Sequence, residues 1–466
     1  MAISRKSAKK LTDDTSTDGG LKCRRKPTTS PPPLRGRCHV LTKAQQQALA
    51  KLKSFLRSEN RFFRLSGYAG TGKSFLVCHL IEWLNSQNWE FAIAAPTNKA
   101  AKSLMQVAMS VGINIDVKTV AQLLGQQPEI NEETGLEEFT SNNEAEFDDY
   151  QVVIVDEFSM LNRSNFEEIV NAIALTIDTK VIFVGDSAQL PPVKESQPVV
   201  AVSDYIDDTA TLDEIIRYEG EIAVVAEKIR HDSQYNRIMY PWKSSSDRTI
   251  VCQPRMQWLE TVTEYFKKDE YKTNPDYTRL LVWRNKTAAE ANRFVRSRLW
   301  GKDAPIFVPG DRLIARKPLF RPRPGQKGKN KWGILINNSE ECSVIEQPTI
   351  KQLSYDKVIY QYRSVPVITD AGFEVNLSIL TDKGEKLRDE QIKYYVEKKQ
   401  WNKYFDLSRT FDDITYAYSL TVHKAQGSSI DFVFIDTEDM QGCPDLQKML
   451  YTALTRAKVR VFIPVQ

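Results

Sequence analysis

Three features of this 466-residue chain predict an α/β fold with two parallel-sheet domains, the second interrupted by a β-rich module. Short apolar runs alternate with helically spaced segments from about residue 39 to 205, and the octet Gly67-Tyr-Ala-Gly-Thr-Gly-Lys-Ser74 sits between two of them. A second alternation begins near Thr278, breaks off near 305 and resumes near Tyr416. Such alternation is the pattern of parallel sheets covered by helices on both faces. The expected organisation is a disordered basic tail at 1–38, then a first sheet domain at 39–205 with an inserted hairpin at 125–149. A second sheet domain follows in two parts, 206–304 and 411–466, around a β-rich insertion at 305–410.

Composition agrees. With 41% hydrophobic and 27% charged residues the chain is of globular type, and its length allows about three domains at ~150 residues each. No run approaches the ~18–20 apolar residues of a membrane span, and the polar N-terminus lacks the apolar core of a secretory signal. A cytoplasmic location without membrane contact is expected. Cys23, Cys38, Cys78, Cys252, Cys342 and Cys443 form no Cys-x-x-Cys pair, so reduced thiols are expected. The net charge of +4 belongs to the tail: residues 1–38 hold ten Lys/Arg and three Asp, which leaves 54 basic against 57 acidic residues elsewhere. A nucleic-acid partner would therefore be held in a local groove and not by the overall field.

In chain order, Thr42 can cap a helix carrying Leu49, Leu52 and Phe55. Phe62 to Leu65 reads as a buried strand and Phe75 to Ile81 as a helix, which is the strand-loop-helix setting of a P-loop. Glu90 to Ala95 is a strand that passes through Pro96, Thr97, Asn98 and Lys99 into a helix, and Thr119 opens another. Between 129 and 149 lie nine Asp/Glu and no Lys/Arg, with a turn at Thr134-Gly135, which suggests an inserted hairpin or loop. Strand Val152 to Val155 delivers Asp156-Glu157, and strand Lys180 to Val184 delivers Gly185-Asp186 and Gln189-Leu-Pro-Pro192. Later strands are expected at 278–283, 312–315, 333–336, 342–345, 358–360, 416–421 and 460–463. Residues 312–331 hold eight Lys/Arg and no Asp/Glu; a solvated loop is the plain expectation and a DNA-contacting loop the alternative.

The chemistry starts at the octet. Gly67, Gly70, Thr71 and Gly72 let successive backbone N–H groups face a phosphate, Lys73 reaches the β- and γ-phosphates, and Ser74 offers a hydroxyl to Mg²⁺. Asp156 at a strand end is the expected metal carboxylate, with Glu157 beside it to polarise the attacking water. Gln189 can reach toward the γ-phosphate. Arg217 and Arg456 are candidates for the positive charge that such sites need as the phosphoryl group transfers.

Taken in order, Gln45, Gly67–Ser74, Ala95–Lys99, Val155–Glu157, Gly185–Pro192, Leu212–Arg217, Thr421-Val-His-Lys-Ala-Gln-Gly427 and Tyr451–Arg456 resemble the motifs of superfamily 1 helicases. The wording is most similar to the 1B branch of RecD-like and Dda-like enzymes. The resemblance covers nearly everything from 41 to 466 and implies two RecA-like motor domains with an SH3-like β module in the second. It implies an ATP- and Mg²⁺-dependent DNA helicase moving 5′→3′ on single-stranded DNA, in replication, recombination or repair. Its partners would be single strands and duplex junctions, with single-strand-binding or replication proteins beside them, and both motor domains in one chain suit a monomer. By residue, it implies adenine contact by Gln45, a nucleotide contact at Gly427 and arginine fingers at Arg217 and Arg456. It also implies strand contacts at Pro96, Thr97, Asn98, Lys99, Thr119, His423 and Lys424.

Two departures stand out. Tyr218 follows Arg217 where relatives often have Gln, and the acidic segment 129–149 occupies the place of the family's separation pin. Phe139 or Leu136 at its tip is the expected wedge. The alternatives are an ATPase that displaces proteins from single strands without unwinding, the motor subunit of a recombination complex, and action on RNA.

Overall fold

The computed structural model describes residues 40–130, 137–141, 147–214, 220–232, 242–323, 325 and 332–465; the tail 1–38, Leu136 and Arg217 lie outside them. In chain order the first eight strands are β1 (Phe62–Gly67), β2 (Phe91–Ala95), β3 (Lys118–Thr119), β4 (Gln126–Ile130), β5 (Glu137–Ser141), β6 (Val152–Val155), β7 (Lys180–Gly185) and β8 (Asp208–Leu212). Six of them form one sheet in the order β3-β2-β6-β7-β1-β8, parallel throughout. Because a parallel sheet must be covered on both faces, its strands read as continuous apolar runs, and every residue of β6 and β7 is buried. Alternate β6 side chains go to opposite sides. Val152 and Ile154 pack with helices Lys43–Leu56, Lys73–Ser86 and Asn98–Ser110, whereas Val153 and Val155 pack with Phe166, Ile169 and Ile173 of helix Arg163–Leu175.

The first sheet extends beyond the expected boundary at 205. β8 pairs in parallel with the free side of β1, Gly67 opposite Leu212, and buries Ala210 and Leu212 in the same core. The inserted hairpin is present as β4 and β5, antiparallel, with Pro128 opposite Phe139. Phe139 thus lies within the ladder and not at its tip, which corrects the expected wedge position; the turn at 131–136 is outside the described residues.

A second parallel sheet has the order Ser419–Thr421, Thr278–Val282, Ile430–Ile435, Ala457–Val465, Ile250–Pro254. Between its two parts lies an antiparallel sheet, Thr349–Tyr355, Val358–Thr369, Glu341–Val344, Arg312–Ala315, Ile414–Tyr416, with Glu374–Leu380 paired to Val358–Thr369. The run expected as one strand at 416–421 is therefore split. Ile414–Tyr416 belongs to the antiparallel module and Ser419–Thr421 to the parallel sheet, which moves the boundary from 411 to about Ala417. Nor is the insertion only β: helices Asp382–Glu397 and Trp401–Thr410 close its end, burying Tyr395 and Leu407 against Tyr360 and Phe411.

Of the basic residues at 312–331, Arg312, Arg316 and Arg321 are engaged with Asp370, Asp413 and Asp412. Arg312 belongs to an ion network joining all three units. Glu341 of the antiparallel module, 4% exposed, accepts from Arg279 of the second sheet and from Arg312 at 3.0 Å. It also lies 3.4 Å from Lys99 on the first domain's Asn98–Ser110 helix, while Lys102 of that helix lies 3.4 Å from Asp370. Burial opposes ionisation of Glu341, but Arg279, Lys99 and Arg312 outweigh it and hold the carboxyl well below the usual carboxylate range. Arg279 is 1% exposed and Arg312 7%, so removing their shared anion strands the buried Arg279 and leaves Arg312 with Asp370 as its carboxylate partner. Glu341→Gln is expected to cost about 3–5 kcal/mol, read as a lowered urea midpoint. A depressed folded pKa contributes stability that is complete above the unfolded value, about 4.3, and is lost as pH falls toward the folded one. The midpoint gap between wild type and Glu341→Gln should be flat from pH 8 to about 5 and narrow below about 4.

Candidate nucleotide cleft and nucleic-acid interface

The P-loop leaves β1 at the C-terminal edge of its sheet, where loops of such sheets bind ligands. Gly70 (φ 84°) and Gly72 (φ 80°) are both left-handed, a conformation that glycine adopts without a Cβ clash, and this turns the chain into the Lys73–Ser86 helix. The Tyr68 carbonyl accepts from Thr71 N at 3.2 Å, Thr71 Oγ1 at 2.9 Å and Lys73 Nζ at 3.0 Å; Lys73 also donates to Gly67 O at 2.7 Å. The ammonium is thus held at the loop's mouth. Gln45 arrives by a different route: Thr42 and Gln45 form a capping box, and the buried Gln45 Nε2 donates to Thr71 O at 3.1 Å.

A cavity of about 320 Å³ opens in front of the loop. It is lined by Gln45, Gly70, Gly72, Lys73, Ser74, Asp156, Glu157 and Gln189 from the first domain, and by Gly427, Ser428 and Arg456 from the second. Most of the residues proposed from sequence for nucleotide chemistry are therefore brought together. Gly67 and Thr71 are not in the lining; Thr71 is folded back onto Tyr68 and supports the loop from behind.

Asp156 and Glu157 follow β6, separated from β1 only by β7. Burial, with the Glu157 charge beside it, pushes Asp156 up to about 7. Glu157 has φ 54°, uncommon for a non-glycine residue, and its Oε2 is buried without a hydrogen-bond partner among the described residues, as is Gln189 Oε1. Hard oxygen donors on Ser74, Asp156 and Glu157, with surplus negative charge and unsatisfied acceptors, suit a small divalent cation. Arg456 enters from the other side. Its guanidinium rests on Thr452 O at 3.1 Å and Ser428 O at 3.3 Å, with no carboxylate in salt-bridge range among the described residues.

Sequence reasoning assigned no role to the contacts that join the two walls. Asp186 Oδ2 accepts from the P-loop's Ala69 N at 2.9 Å and from the Tyr451 hydroxyl at 2.8 Å, while its Oδ1 accepts from Ala188 N at 2.9 Å. Leu190 is held at both backbone atoms, its N–H donating to Thr452 Oγ1 at 3.1 Å and its carbonyl accepting from Gln426 Nε2 at 2.8 Å. A buried acid after β7 was the available signal, since such a group must find donors.

Expected strand contacts follow the edge strands of two sheets, β3 and its neighbour β2 in the first and Ser419–Thr421 in the second. Thr97 caps the Asn98–Ser110 helix, Thr119 caps the next, and Thr119 is in register with Ala95, so Pro96 to Lys99 and Thr119 leave adjacent strands together. Thr421 caps the short helix bearing His423 and Lys424. Two of these residues are partly engaged: Thr119 Oγ1 donates to Gln122, and Lys99 faces Glu341. Burial lowers the pKa of His423, so at neutral pH it offers a hydrogen bond and not a charge. The two halves touch where Gly427 (φ 72°) lies against Ala100, and an added Cβ there would be 3.3 Å from the Ala100 Cα.

Two family models match this chain, one described as an AAA domain over residues 40–240 and one as a UvrD-like helicase C-terminal domain over 416–463. The ATP-dependent DNA helicase dda of Enterobacteria phage T4 is 24% identical, covering 91% of this chain and 98% of its own. The ATP-dependent DNA helicase Pif1 of Campylobacter jejuni is 25% identical, covering 87% and 88%. Over nearly its whole length the chain is thus similar to proteins described as ATP-dependent DNA helicases. A solved structure of two coordinating Pif1 helicases at forked double-stranded DNA matches this chain with TM-score 0.50 and 19% identity, covering 91% of this chain and 92% of that one. At that identity the likeness concerns the fold, two parallel-sheet domains facing a common cleft.

Because Gly427 is left-handed and abuts Ala100, Gly427→Ala is expected to strain the closed cleft by about 1–3 kcal/mol. Titration with a fluorescent ATP analogue should then give an affinity roughly ten-fold weaker.

Proposed function

We propose that this chain is an ATP-dependent DNA helicase that moves 5′→3′ along a single strand and unwinds the duplex ahead of it. One observation carries the proposal: a single cavity is walled by Lys73, Asp156 and Glu157 on one side and Gly427 and Arg456 on the other, so its contents govern how the two sheets sit together. The same two sheets bear the candidate strand contacts, Pro96 to Lys99 with Thr119 on one and His423 with Lys424 on the other. ATP in this cavity would place its phosphates against the P-loop N–H groups and Lys73, with the base near Gln45. Ser74 and Asp156 would hold Mg²⁺, which supplies charge neutralisation at the β- and γ-phosphates. Glu157, whose buried Oε2 has no hydrogen-bond partner among the described residues, accepts the proton of the attacking water, and Gln189 orients that water toward the γ-phosphorus. Arg456 leaves its carbonyl partners to donate to the transferring phosphoryl oxygens, where a preorganised cation is worth most; Arg217 is assigned the same task by resemblance.

Closure around ATP and reopening after hydrolysis shift the strand between the two sets of contacts. Those contacts are caps, an amide, a neutral imidazole and lysines, groups that grip sugar and phosphate without reading sequence. The enzyme acts as a monomer in the cytoplasm, on single strands and duplex junctions.

The test is ATP-dependent strand release from duplexes with a single 5′ or 3′ tail, beside ATPase stimulation by single-stranded DNA and RNA. Release from the 5′-tailed duplex alone, with stimulation by DNA, is expected. Lys73→Ala should lower kcat by about 10²–10³-fold and leave strand binding within a few-fold of wild type. Full turnover by Lys73→Ala would overturn the site, and ATP hydrolysis without release would favour protein displacement over unwinding.

A further inference from the structure

The Glu221–His231 helix of the second domain packs through Ile222, Val225, Ala226 and Ile229 into a core that also holds Ala69 of the P-loop and Leu190. Its last turn is tied to the Leu446–Leu454 helix, where Gln447 Nε2 donates to Ile229 O at 2.7 Å and Arg230 O at 3.0 Å. From that turn Arg230 reaches across to the P-loop. Its guanidinium carbon lies 3.2 Å from the centroid of the Tyr68 ring, a stacked cation–π contact. The Arg230 side chain is only 9% exposed. Nη2 has His231 Nε2 at 2.7 Å and Glu227 at 3.7 Å, but Nε and Nη1 have no hydrogen-bond partner among the described residues. A surface salt bridge does not account for this arrangement, because leaving two buried guanidinium donors unpaired is costly. The stacked residue is the one whose carbonyl gathers Thr71 and Lys73, and its neighbour Ala69 donates to Asp186 and to Tyr451 of the same Leu446–Leu454 helix. Two adjacent P-loop residues are thus held from one second-domain helix pair, Ala69 by a hydrogen bond and Tyr68 by a stack.

We propose that Arg230 is a positioning residue for nucleotide turnover, acting through the Tyr68 ring to set the P-loop and its Lys73 according to where the second domain stands. This rests on the helicase reading and adds to Arg217 and Arg456 a third arginine, one that works on the loop and not on the phosphates. When the domains move, the stack moves with the Gln447-bound helix end and the Tyr68 carbonyl carries the displacement to Lys73. Planarity matters as much as charge, because a guanidinium stacks on a ring and an ammonium does not.

The experiment measures DNA-stimulated ATPase kcat and KM, binding of a fluorescent ATP analogue and thermal midpoint for the full chain carrying Arg230→Met, Arg230→Lys, Tyr68→Leu, Tyr68→Phe and the pair Arg230→Met with Tyr68→Leu. Arg230→Met and Tyr68→Leu are each expected to lower kcat roughly ten- to a hundred-fold, the scale of small misplacements of reacting groups, with KM and analogue affinity within about three-fold. The pair should be no slower than the slower single variant, since both remove one coupling. Tyr68→Phe, which keeps the ring, should restore turnover relative to Tyr68→Leu, and Arg230→Lys should fall between wild type and Arg230→Met. A lowered thermal midpoint with unchanged kcat, or losses that multiply in the pair, would overturn the assignment. Wild type without DNA-stimulated turnover would instead take down the helicase reading itself, and this proposal with it.

Discussion

The Asp186 carboxylate is the point on which the two halves of the cleft depend. It is fully buried, and a buried anion must collect donors to offset the water it has lost. Its donors come from three places: the P-loop after β1, its own loop after β7, and Tyr451 on the Leu446–Leu454 helix of the other domain. The loop that cradles phosphate and the helix that leads to Arg456 therefore share one hydrogen-bonding centre. Leu190 repeats the device with backbone atoms, its N–H and carbonyl both satisfied from the second domain. A change in the cavity cannot move one wall without disturbing these bonds, which is a physical basis for coupling nucleotide to domain motion.

A second buried anion, Glu341, does for the side of the candidate strand contacts what Asp186 does for the side of the candidate nucleotide cavity. It draws Arg279, Arg312 and Lys99 from three units onto one carboxylate, and Asp370 extends the network to Lys102. The helix that begins at the candidate strand contacts is thereby anchored to the antiparallel module. The cations outnumber the anions in this cluster, so the field beside Lys99 and Lys102 favours an approaching phosphate.

Where the sequence was legible, the cause was local. The P-loop needs glycines at fixed offsets between a strand and a helix, and both left-handed glycines stand where the octet requires them. Thr42 caps the helix that follows it and Thr119 opens another, as expected, and the structure adds the same role for Thr97 and Thr421, a relation complete within four residues. Boundaries were less legible because sheet membership is not a local property. Asp208–Leu212 does not read as a strand in the sequence and the run at 416–421 reads as one, and only pairing with Phe62–Gly67 and with Arg312–Ala315 assigns Asp208–Leu212 and Ile414–Tyr416 to their sheets. The helices at 382–410 carry so many charges that their narrow apolar faces were lost in a segment read as β. Phe139 was placed at a hairpin tip by charge and turn signals, whereas the ladder register puts it opposite Pro128.

By itself, the sequence determined that a P-loop pattern, candidate metal carboxylates and a set of motifs resembling those of helicases are present and in order, because each of these is a short pattern whose chemistry depends on its own neighbours. The tertiary structure decided which of them meet. Tyr451 and Asp186 are 265 residues apart, and Arg230 meets Tyr68 only because the Glu221–His231 helix is packed against the Leu446–Leu454 helix and capped by Gln447. No periodicity encodes such contacts. They follow from the requirement that buried charges and backbone groups find partners once two parallel-sheet domains meet around one cavity.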